Sequence, residues 1–215
     1  MSLAPHPFLD ELIAWATPEA TKDDLLAARA DWFGKNGEVF DEDRQIELRM
    51  SGFLEHYVCD RVAPHFGKTP ARERYERALR DETPERAAAF RAFTETVHGL
   101  FEVKRIAAGT VRLRGLFTGI TWDVTERRHI VGLGPGDVLE ARLIPFGGHF
   151  HFSASYVFHP HEAARQIRDE AKRLAKEGTV DERSFVQDCA QRSLKVERYR
   201  QIAVEKIYDF GARRI

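Results

Sequence analysis

Histidine and serine alternate along one short segment of the chain, at His149, His151, Ser153 and Ser155. Side chains two residues apart on a strand share a face about 7 Å apart, so the two imidazoles could share one metal ion. Zinc needs at least three protein ligands, and the spacing does not identify the third. We therefore predict either a metal site at His149 and His151 or a solvent-facing strand with polar side chains. Pairing with a strand through Arg142 would enlarge this polar cluster.

A second group of chemically versatile side chains lies in a helical pattern, at Glu55, His56, Cys59 and Asp60. His56 and Asp60 are four residues apart and therefore lie one turn apart on a helix surface. All four are metal-ligand types, but no second ligand pair accompanies them, so we predict a structural role. The apolar stripe of this helix indicates that Cys59 faces the interior and that Asp60 faces solvent.

Motifs for nucleotide binding and nucleophilic catalysis are absent from the sequence. Gly132, Gly134 and Gly136 lack a following Lys-Ser/Thr and precede a strand pattern, whereas a phosphate-binding loop opens a helix. No Gly-x-Ser-x-Gly segment marks a serine nucleophile. We therefore expect no cofactor and a non-enzymatic binding or adaptor protein. A metal-binding protein or metalloenzyme around His149 and His151 is one alternative, so an enzyme stays possible.

Basic residues indicate an alternative function, in which the outer face of a barrel binds nucleic acid. The predicted contact residues are Lys104, Arg112, Arg114 and Arg142 on strands, with Arg127 and Arg128 in a loop. The aromatic residues of the same region alternate onto the other face, together with valine, isoleucine and leucine. Stacking of bases requires exposed aromatic rings, so we interpret these aromatics as core residues.

The segment that must position these residues runs from Gly99 to Phe158, where the hydrophobic period changes from about 3.6 to 2. Five short runs alternate apolar and polar residues, and glycine-containing turns separate several of them. In the last run, Phe150, Phe152, Tyr156 and Phe158 share one face. The pattern predicts a five-stranded antiparallel small β-barrel or curled sheet.

Helical patterns precede and follow this segment. Three Thr-Pro pairs, beginning at Thr17, Thr69 and Thr83, have the form of an N-cap followed by proline at the first helical position. After the strands we predict a helical pair. Its second helix runs from about 180 to 210 and would be roughly 40 Å long.

These patterns define an α+β fold class. N-terminal helices are predicted over residues 1–98, the barrel over 99–158 and a C-terminal helical hairpin over 159–215. The same three segments could also form one compact domain.

Composition indicates a globular protein. The 215 residues are 43% hydrophobic, which is enough to form a core. The first residues lack the basic start and cleavage site of a signal peptide, and no apolar run approaches the ~20 residues that span a bilayer. Cys59 and Cys189 lie far apart in helical patterns, which fits buried free thiols. We therefore expect a cytoplasmic protein that does not contact a membrane.

Charge is distributed unevenly, although the formal net charge is only −1. Residues 1–60 carry a net charge of −8, and residues 61–215 carry a net charge of +7. This asymmetry favours docking of the acidic segment on the rest of the chain or on a partner copy. The long C-terminal helix also requires a neighbour. We therefore expect a protein partner or a homodimer, with packing inside one chain as the alternative.

Two stretches resemble a module of uncharacterised bacterial proteins. They are FEVKRIAAGTVRLRGLFTGITWDVTER and GLGPGDVLEARLIPFGGHFHFS, which lie within about residues 99–158. The segment from Gly136 to Ala141 is also locally similar to a strand entry of oligonucleotide-binding barrels. The resemblance implies a small β-barrel and assigns no activity, and no functional residue follows from it.

Overall fold

The computed structural model describes residues 4–107, 109–126, 133–178 and 181–211. The N-terminal part of the chain is helical, as predicted. Its helices are α1 (His6–Ala16), α2 (Lys22–Asn36), α3 (Ile46–Cys59), α4 (Pro70–Asp81) and α5 (Pro84–Arg91). Short 3₁₀ turns at Glu19–Thr21 and Ala92–Thr94 precede α2 and the first strand.

Strands and further helices complete the fold. The strands are β1 (Val97–Ala107), β2 (Thr110–Gly115), β3 (Thr121–Thr125), β4 (Val138–Phe146), β5 (His149–Phe152) and β6 (Val157–Phe158). The helices that follow are α6 (Ala164–Glu177), α7 (Glu182–Arg198) and α8 (Val204–Ile207). Within the described part of the chain, no helix has the length and apolar character needed to cross a membrane.

The described strands form a closed five-stranded barrel with one additional strand. Their order is β1-β2-β3-β5-β4-β6, and a further pairing of β1 with β4 closes five of them. β1, β2 and β3 form an antiparallel meander in which Val103 lies opposite Leu113 and Leu113 opposite Trp122. β4 pairs antiparallel with β5 and with β6. The predicted α+β class, with a small barrel between N-terminal helices and a C-terminal helical pair along the chain, is confirmed.

The chain divides into two compact units, each assembled from separate segments. Unit 1 consists of residues 1–33, 44–97 and 142–156, and unit 2 of residues 34–43, 98–141 and 157–215. Each unit therefore contains segments that are distant from one another in the sequence. The division into three consecutive domains stays a prediction.

Each unit has its own buried apolar side chains. In unit 1, Leu12 of α1, Phe53 of α3 and Phe152 of β5 are buried. In unit 2, Ile167 of α6 and Cys189 of α7 belong to one buried cluster. The core of unit 1 therefore combines helix and strand residues, and the named core residues of unit 2 come from successive helices. Such packing buries the apolar face of each element in an α+β protein.

The last predicted strand is interrupted. β5 ends at Phe152 and β6 begins at Val157, so six described strands replace the predicted five. The interruption reverses the alternation, because Val157 is buried and Phe158 is 38% exposed, whereas the sequence pattern places Phe158 inside. Ser153 and Ser155 lie in the interruption. They therefore do not continue the strand face of the two histidines.

The C-terminal helical pair is present, but its second helix is shorter than predicted. α7 ends at Arg198, and α8 begins only at Val204. Between them Tyr199 has non-helical dihedral angles, and Ala203 is extended. The prediction of one helix from about 180 to 210 is wrong, because the apolar spacing continues across this break. The length of this helix therefore does not indicate a homodimer.

Two of the three Thr-Pro pairs cap helices as predicted. The hydroxyls of Thr69 and Thr83 accept hydrogen bonds from backbone N–H groups three residues later, at 3.3 and 3.4 Å. The third prediction is wrong, because Thr17 follows α1 and its hydroxyl donates to the carbonyl oxygen of Ile13 at 2.8 Å. The two capping threonines, Thr69 and Thr83, have extended dihedral angles, whereas Thr17 does not.

The acidic segment pairs with basic residues of the same chain. In unit 1 the ion pairs are Glu11 with Arg74 and Arg86, Asp24 with Arg61, and Asp60 with Arg142, and in unit 2 Asp43 pairs with Arg198. Each acidic partner comes from residues 1–60 and each basic partner from 61–215. These carboxylates therefore have partners within the chain, and docking on a partner copy stays a prediction.

Candidate functional site

A buried arginine on β4, Arg142, joins the polar side chains of unit 1. Its side chain is only 2% exposed. The guanidinium donates two hydrogen bonds to Asp60, with Nη1 3.0 Å from Oδ1 and Nη2 2.5 Å from Oδ2. Nη1 also donates to Oγ1 of Thr96 at 2.8 Å. Because a buried guanidinium requires a paired anion, these bonds fix the end of α3 against β4.

A second carboxylate beside Arg142 belongs to Glu55 of α3. Its Oε2 lies 3.6 Å from Nε of Arg142. The hydroxyl of Ser155 donates to Oε2 at 2.5 Å, and the backbone N–H of Ser155 donates to Oε1 at 3.2 Å. Burial raises the pKa of Glu55, although Arg142 and the serine hydrogen bonds act in the opposite direction. The folded protein therefore favours the protonated form of Glu55 more than an exposed glutamate does.

His56 extends the network through Asp60. Its Nδ1 lies 3.1 Å from Oδ2 of Asp60. The imidazole stacks on the indole ring of Trp32, with ring centroids 4.5 Å apart and planes inclined by 26°. Stacking and hydrogen bonding together fix the orientation of the imidazole. Asp60 is thus shared between an arginine and a histidine.

Cys59 lies beside the same arginine, and ionisation of its thiol is disfavoured. Burial raises the pKa of the thiol to about 12, against the opposing effect of Arg142. The thiolate is the form that attacks electrophiles and binds metals, and it is scarce at neutral pH when the pKa is this high. Its buried thiol agrees with the structural role predicted for this residue.

Two groups of residues that are distant in sequence meet at Arg142. Glu55, His56 and Asp60 come from the helical pattern, and Ser155 comes from the strand pattern. The expectation that Asp60 faces solvent is wrong, because its carboxylate is 23% exposed and is held by Arg142. α3 ends at Cys59, so Asp60 no longer follows the helical periodicity from which its direction was predicted.

Arg142 does not lie on the outer face of the barrel, so its predicted place among the nucleic-acid contacts is wrong. Residues Val138 to Ile144 of β4 are buried on both faces. Period-2 alternation separates inside from outside only where one face meets solvent. Arg127 and Arg128, predicted in the same set, lie outside the described residues.

The two predicted metal ligands lie on β5 in unit 1. His149 is exposed and His151 is half-buried. Nε2 of His151 lies 3.2 Å from the carbonyl oxygen of Phe146. Among the described residues, no group of three or more His, Cys, Asp or Glu side chains is arranged to hold a metal ion. The metal site therefore stays a prediction without an identified third ligand.

The outer face of β1, β2 and β3 in unit 2 carries the other predicted basic residues. Lys104, Arg112 and Arg114 are all exposed. Arg112 donates two hydrogen bonds of 2.7 Å to Asp123 and holds the pKa of that carboxyl below its usual range. Nζ of Lys104 lies 3.3 Å from Oε2 of Glu102. The face thus contains ion pairs and additional positive charge.

Arg105 also belongs to this face, because β1 contains a bulge. The register with β2 shifts between Val103 and Arg105, and Lys104 and Arg105 are both exposed. Arg105 then lies opposite Arg112. Strict alternation places Arg105 inside with Val103, so Arg105 is not among the basic residues predicted for this face. A charged residue at an inward position of an alternating strand is the signal that indicates such a bulge.

The fold and this site define a class of α+β proteins in which a small closed barrel lies between two groups of helices along the chain. Residues 34–202 match the Family of unknown function (DUF7986), and the chain belongs to this family. The matched residues include the whole barrel, together with Arg142 and its partners. No curated protein and no solved structure matches the chain. The resemblance to uncharacterised proteins with a small β-barrel is confirmed.

Replacement of Arg142 by methionine is expected to lower the free energy of unfolding by about 3–5 kcal/mol, because the buried Glu55 and the partly buried Asp60 would both lose their cation. Urea unfolding followed by circular dichroism measures this value. The matched control is Arg112→Met, because Arg112 pairs with Asp123 on an exposed face, where ion pairs contribute little. Equal losses in the two variants would contradict the role assigned to Arg142.

Replacement of Glu55 by glutamine is expected to remove a pH dependence of stability. Because the pKa of Glu55 is raised in the folded state, the unfolded chain releases this proton at lower pH than the folded protein does. The free energy of unfolding of the unchanged protein should therefore fall, relative to that of Glu55→Gln, as the pH rises from about 4 to 8. Urea unfolding across this range measures the difference, with Glu47→Gln on the exposed face of α3 as control. A difference that does not change with pH would refute the raised pKa.

Proposed function

We propose that the protein is a non-enzymatic binding protein of the bacterial cytoplasm and that its ligand is single-stranded nucleic acid. The observation that carries this proposal is the exposed basic face of β1, β2 and β3 in unit 2. Arg105 lies opposite Arg112, and Arg114 follows two residues later on the same face of β2. Lys104 is exposed beside them. Cations spread over neighbouring strands suit the phosphates of an extended polyanion.

Carboxylates reduce the charge of this face without cancelling it. Glu102 lies 3.3 Å from Lys104 and 3.4 Å from Arg168, and Asp123 pairs with Arg112. In the described part of the face, cationic side chains outnumber carboxylates. Exposed ion pairs are weak, so an incoming phosphate can compete for the same guanidinium and ammonium groups.

The barrel architecture supports the same ligand. Oligonucleotide-binding barrels have five strands and bind mainly on the face of strands 2 and 3, the face that carries the arginines of β2 here. A fold alone does not determine a function, so the proposal depends on the charges as well. Trp122 is half-buried and lies edge-on to Phe101, with ring centroids 5.4 Å apart. We therefore expect phosphate contacts to exceed base stacking, and binding to depend strongly on salt.

The two cysteines give no support to catalysis by a thiol nucleophile. Burial raises the pKa of Cys59 to about 12, and it raises the pKa of Cys189 well above its usual range. Neither thiol is therefore a nucleophile at neutral pH. Both cysteines are free, which agrees with the reducing environment of a bacterial cytoplasm.

A protein partner, either a homodimer or another protein, is a further part of this proposal. Phe40, Tyr199 and Ile202 of unit 2 are each more than 40% exposed, and Arg198 stacks over the ring of Phe40. They leave apolar surface that a partner would cover. Light scattering of the protein without nucleic acid tests for the homodimer, because one chain has a mass of 24.7 kDa and a homodimer has twice that mass.

The protein is expected to bind a fluorescein-labelled oligothymidylate, with an affinity that falls steeply between about 50 and 200 mM salt. Arg105→Gln and Arg114→Gln should each weaken binding and reduce the slope of log Kd against log salt by about 0.7, the change expected for one lost phosphate contact on a single strand. Fluorescence anisotropy measures both quantities.

The matched control for this experiment is Arg80→Gln, which removes the same charge from an exposed position on α4. It should leave the affinity and the slope nearly unchanged. Equal weakening by all three variants would mean that only the net charge matters. Absence of binding at about 50 mM salt, where electrostatic contacts are strong, would exclude nucleic acid as the ligand.

A further inference from the structure

Unit 1 contains an open cleft between α1, α5 and the turn that joins β4 to β5. Its volume is about 450 Å³, within the range of about 300–1,000 Å³ that is typical of ligand sites. Its apolar lining includes Phe8, Phe146, and Ala88 and Ala89 of α5. The alanines give the cleft its depth, because larger side chains at these positions would fill it.

The aromatic side chains of the cleft are held in place by ring contacts. The ring centroid of Phe8 lies 5.8 Å from that of Phe146 and 5.9 Å from that of Phe90. Phe90 is fully buried in unit 1. The cleft is therefore formed before any ligand binds, which lowers the entropic cost of binding.

Arg86 lines the cleft but contributes little positive charge to it. Its Nη2 donates to both carboxylate oxygens of Glu11, at 2.6 and 2.9 Å, and its Nε donates to Glu82. Arg74 pairs with the same two glutamates. Two arginines and two glutamates thus neutralise one another, and of these four residues Arg86 lines the cleft.

Glu85 gives the rim of the cleft its charge. It is exposed in the first turn of α5, beside the alanines. Its own backbone N–H and the hydroxyl of Thr83 lower the pKa of its carboxyl. Glu85 is therefore an anion at neutral pH, at the edge of an apolar surface.

We propose that this cleft binds a peptide segment of a partner protein in which an apolar side chain lies next to lysine or arginine. The apolar side chain enters between Phe146 and Ala88, and the basic side chain faces Glu85. An acidic segment is disfavoured, because it would meet Glu85 while Arg86 is already neutralised. This site lies in unit 1 and does not depend on nucleic-acid binding by unit 2, so the two proposals fail or succeed separately.

The test is selection of a random peptide display library on the full-length protein. The unchanged protein should enrich peptides with an apolar residue next to lysine or arginine. Ala88→Phe fills the cleft and should abolish this enrichment, whereas Ala30→Phe, at an exposed position on α2, should retain it. Glu85→Lys should shift the selected charge from basic to acidic, whereas Asp81→Lys, at the end of α4, should not.

Four results would overturn the proposal. They are the absence of enrichment with the unchanged protein, enrichment that survives Ala88→Phe, a preference for acidic peptides before any substitution, and a dimer that Ala88→Phe dissociates. The last result would identify a second copy of the chain as the occupant. Thermal unfolding of each variant shows that it is folded, and an unchanged circular dichroism spectrum shows that its secondary structure is retained.

Discussion

The pairing of Arg142 with Asp60 and Glu55 is the interaction on which unit 1 depends. A guanidinium can be buried on a strand only where carboxylates satisfy it, so this pairing fixes the end of α3 against β4. Ser155, placed by the interruption between β5 and β6, supplies the hydrogen bonds that the second carboxylate needs. His56 takes its orientation from the same aspartate. One buried cation thus holds a helix, a strand and a connecting segment together.

Burial distinguishes the charges that stabilise the fold from the charges that are available for binding. The guanidinium of Arg142 is committed to partners inside its own unit. On the outer face of the barrel, by contrast, Arg105 and Arg114 meet solvent, and the ion pair of Arg112 with Asp123 is exposed. Exposed charges cost little to rearrange when an anion arrives, whereas breaking a buried pair costs several kcal/mol. This difference in cost is why we assign binding to the strand face and structure to the buried network.

Local patterns predicted much of the fold, and contacts between distant residues determined the rest. The change of hydrophobic period located the barrel, and Thr83 was recognised as a helix cap, because both signals lie within a few residues. Arg142 was misplaced because α3, which supplies its carboxylates, is distant in sequence. Arg105 was missed because a bulge changes the side-chain direction, and Phe158 because a strand break does so. The sequence predicted the two groups of residues that form the candidate site, but it did not predict that both groups lie around Arg142.

The central claim is that the exposed strand face, and not the buried network, is the binding surface. The most direct test is to map the backbone amide chemical shifts of the protein as unlabelled oligothymidylate is added. Our account predicts that the largest changes fall within residues 102–106, 110–115 and 121–125, and that they diminish as salt is raised. Changes confined to the neighbourhood of Arg142, or the absence of any change at low salt, would contradict it.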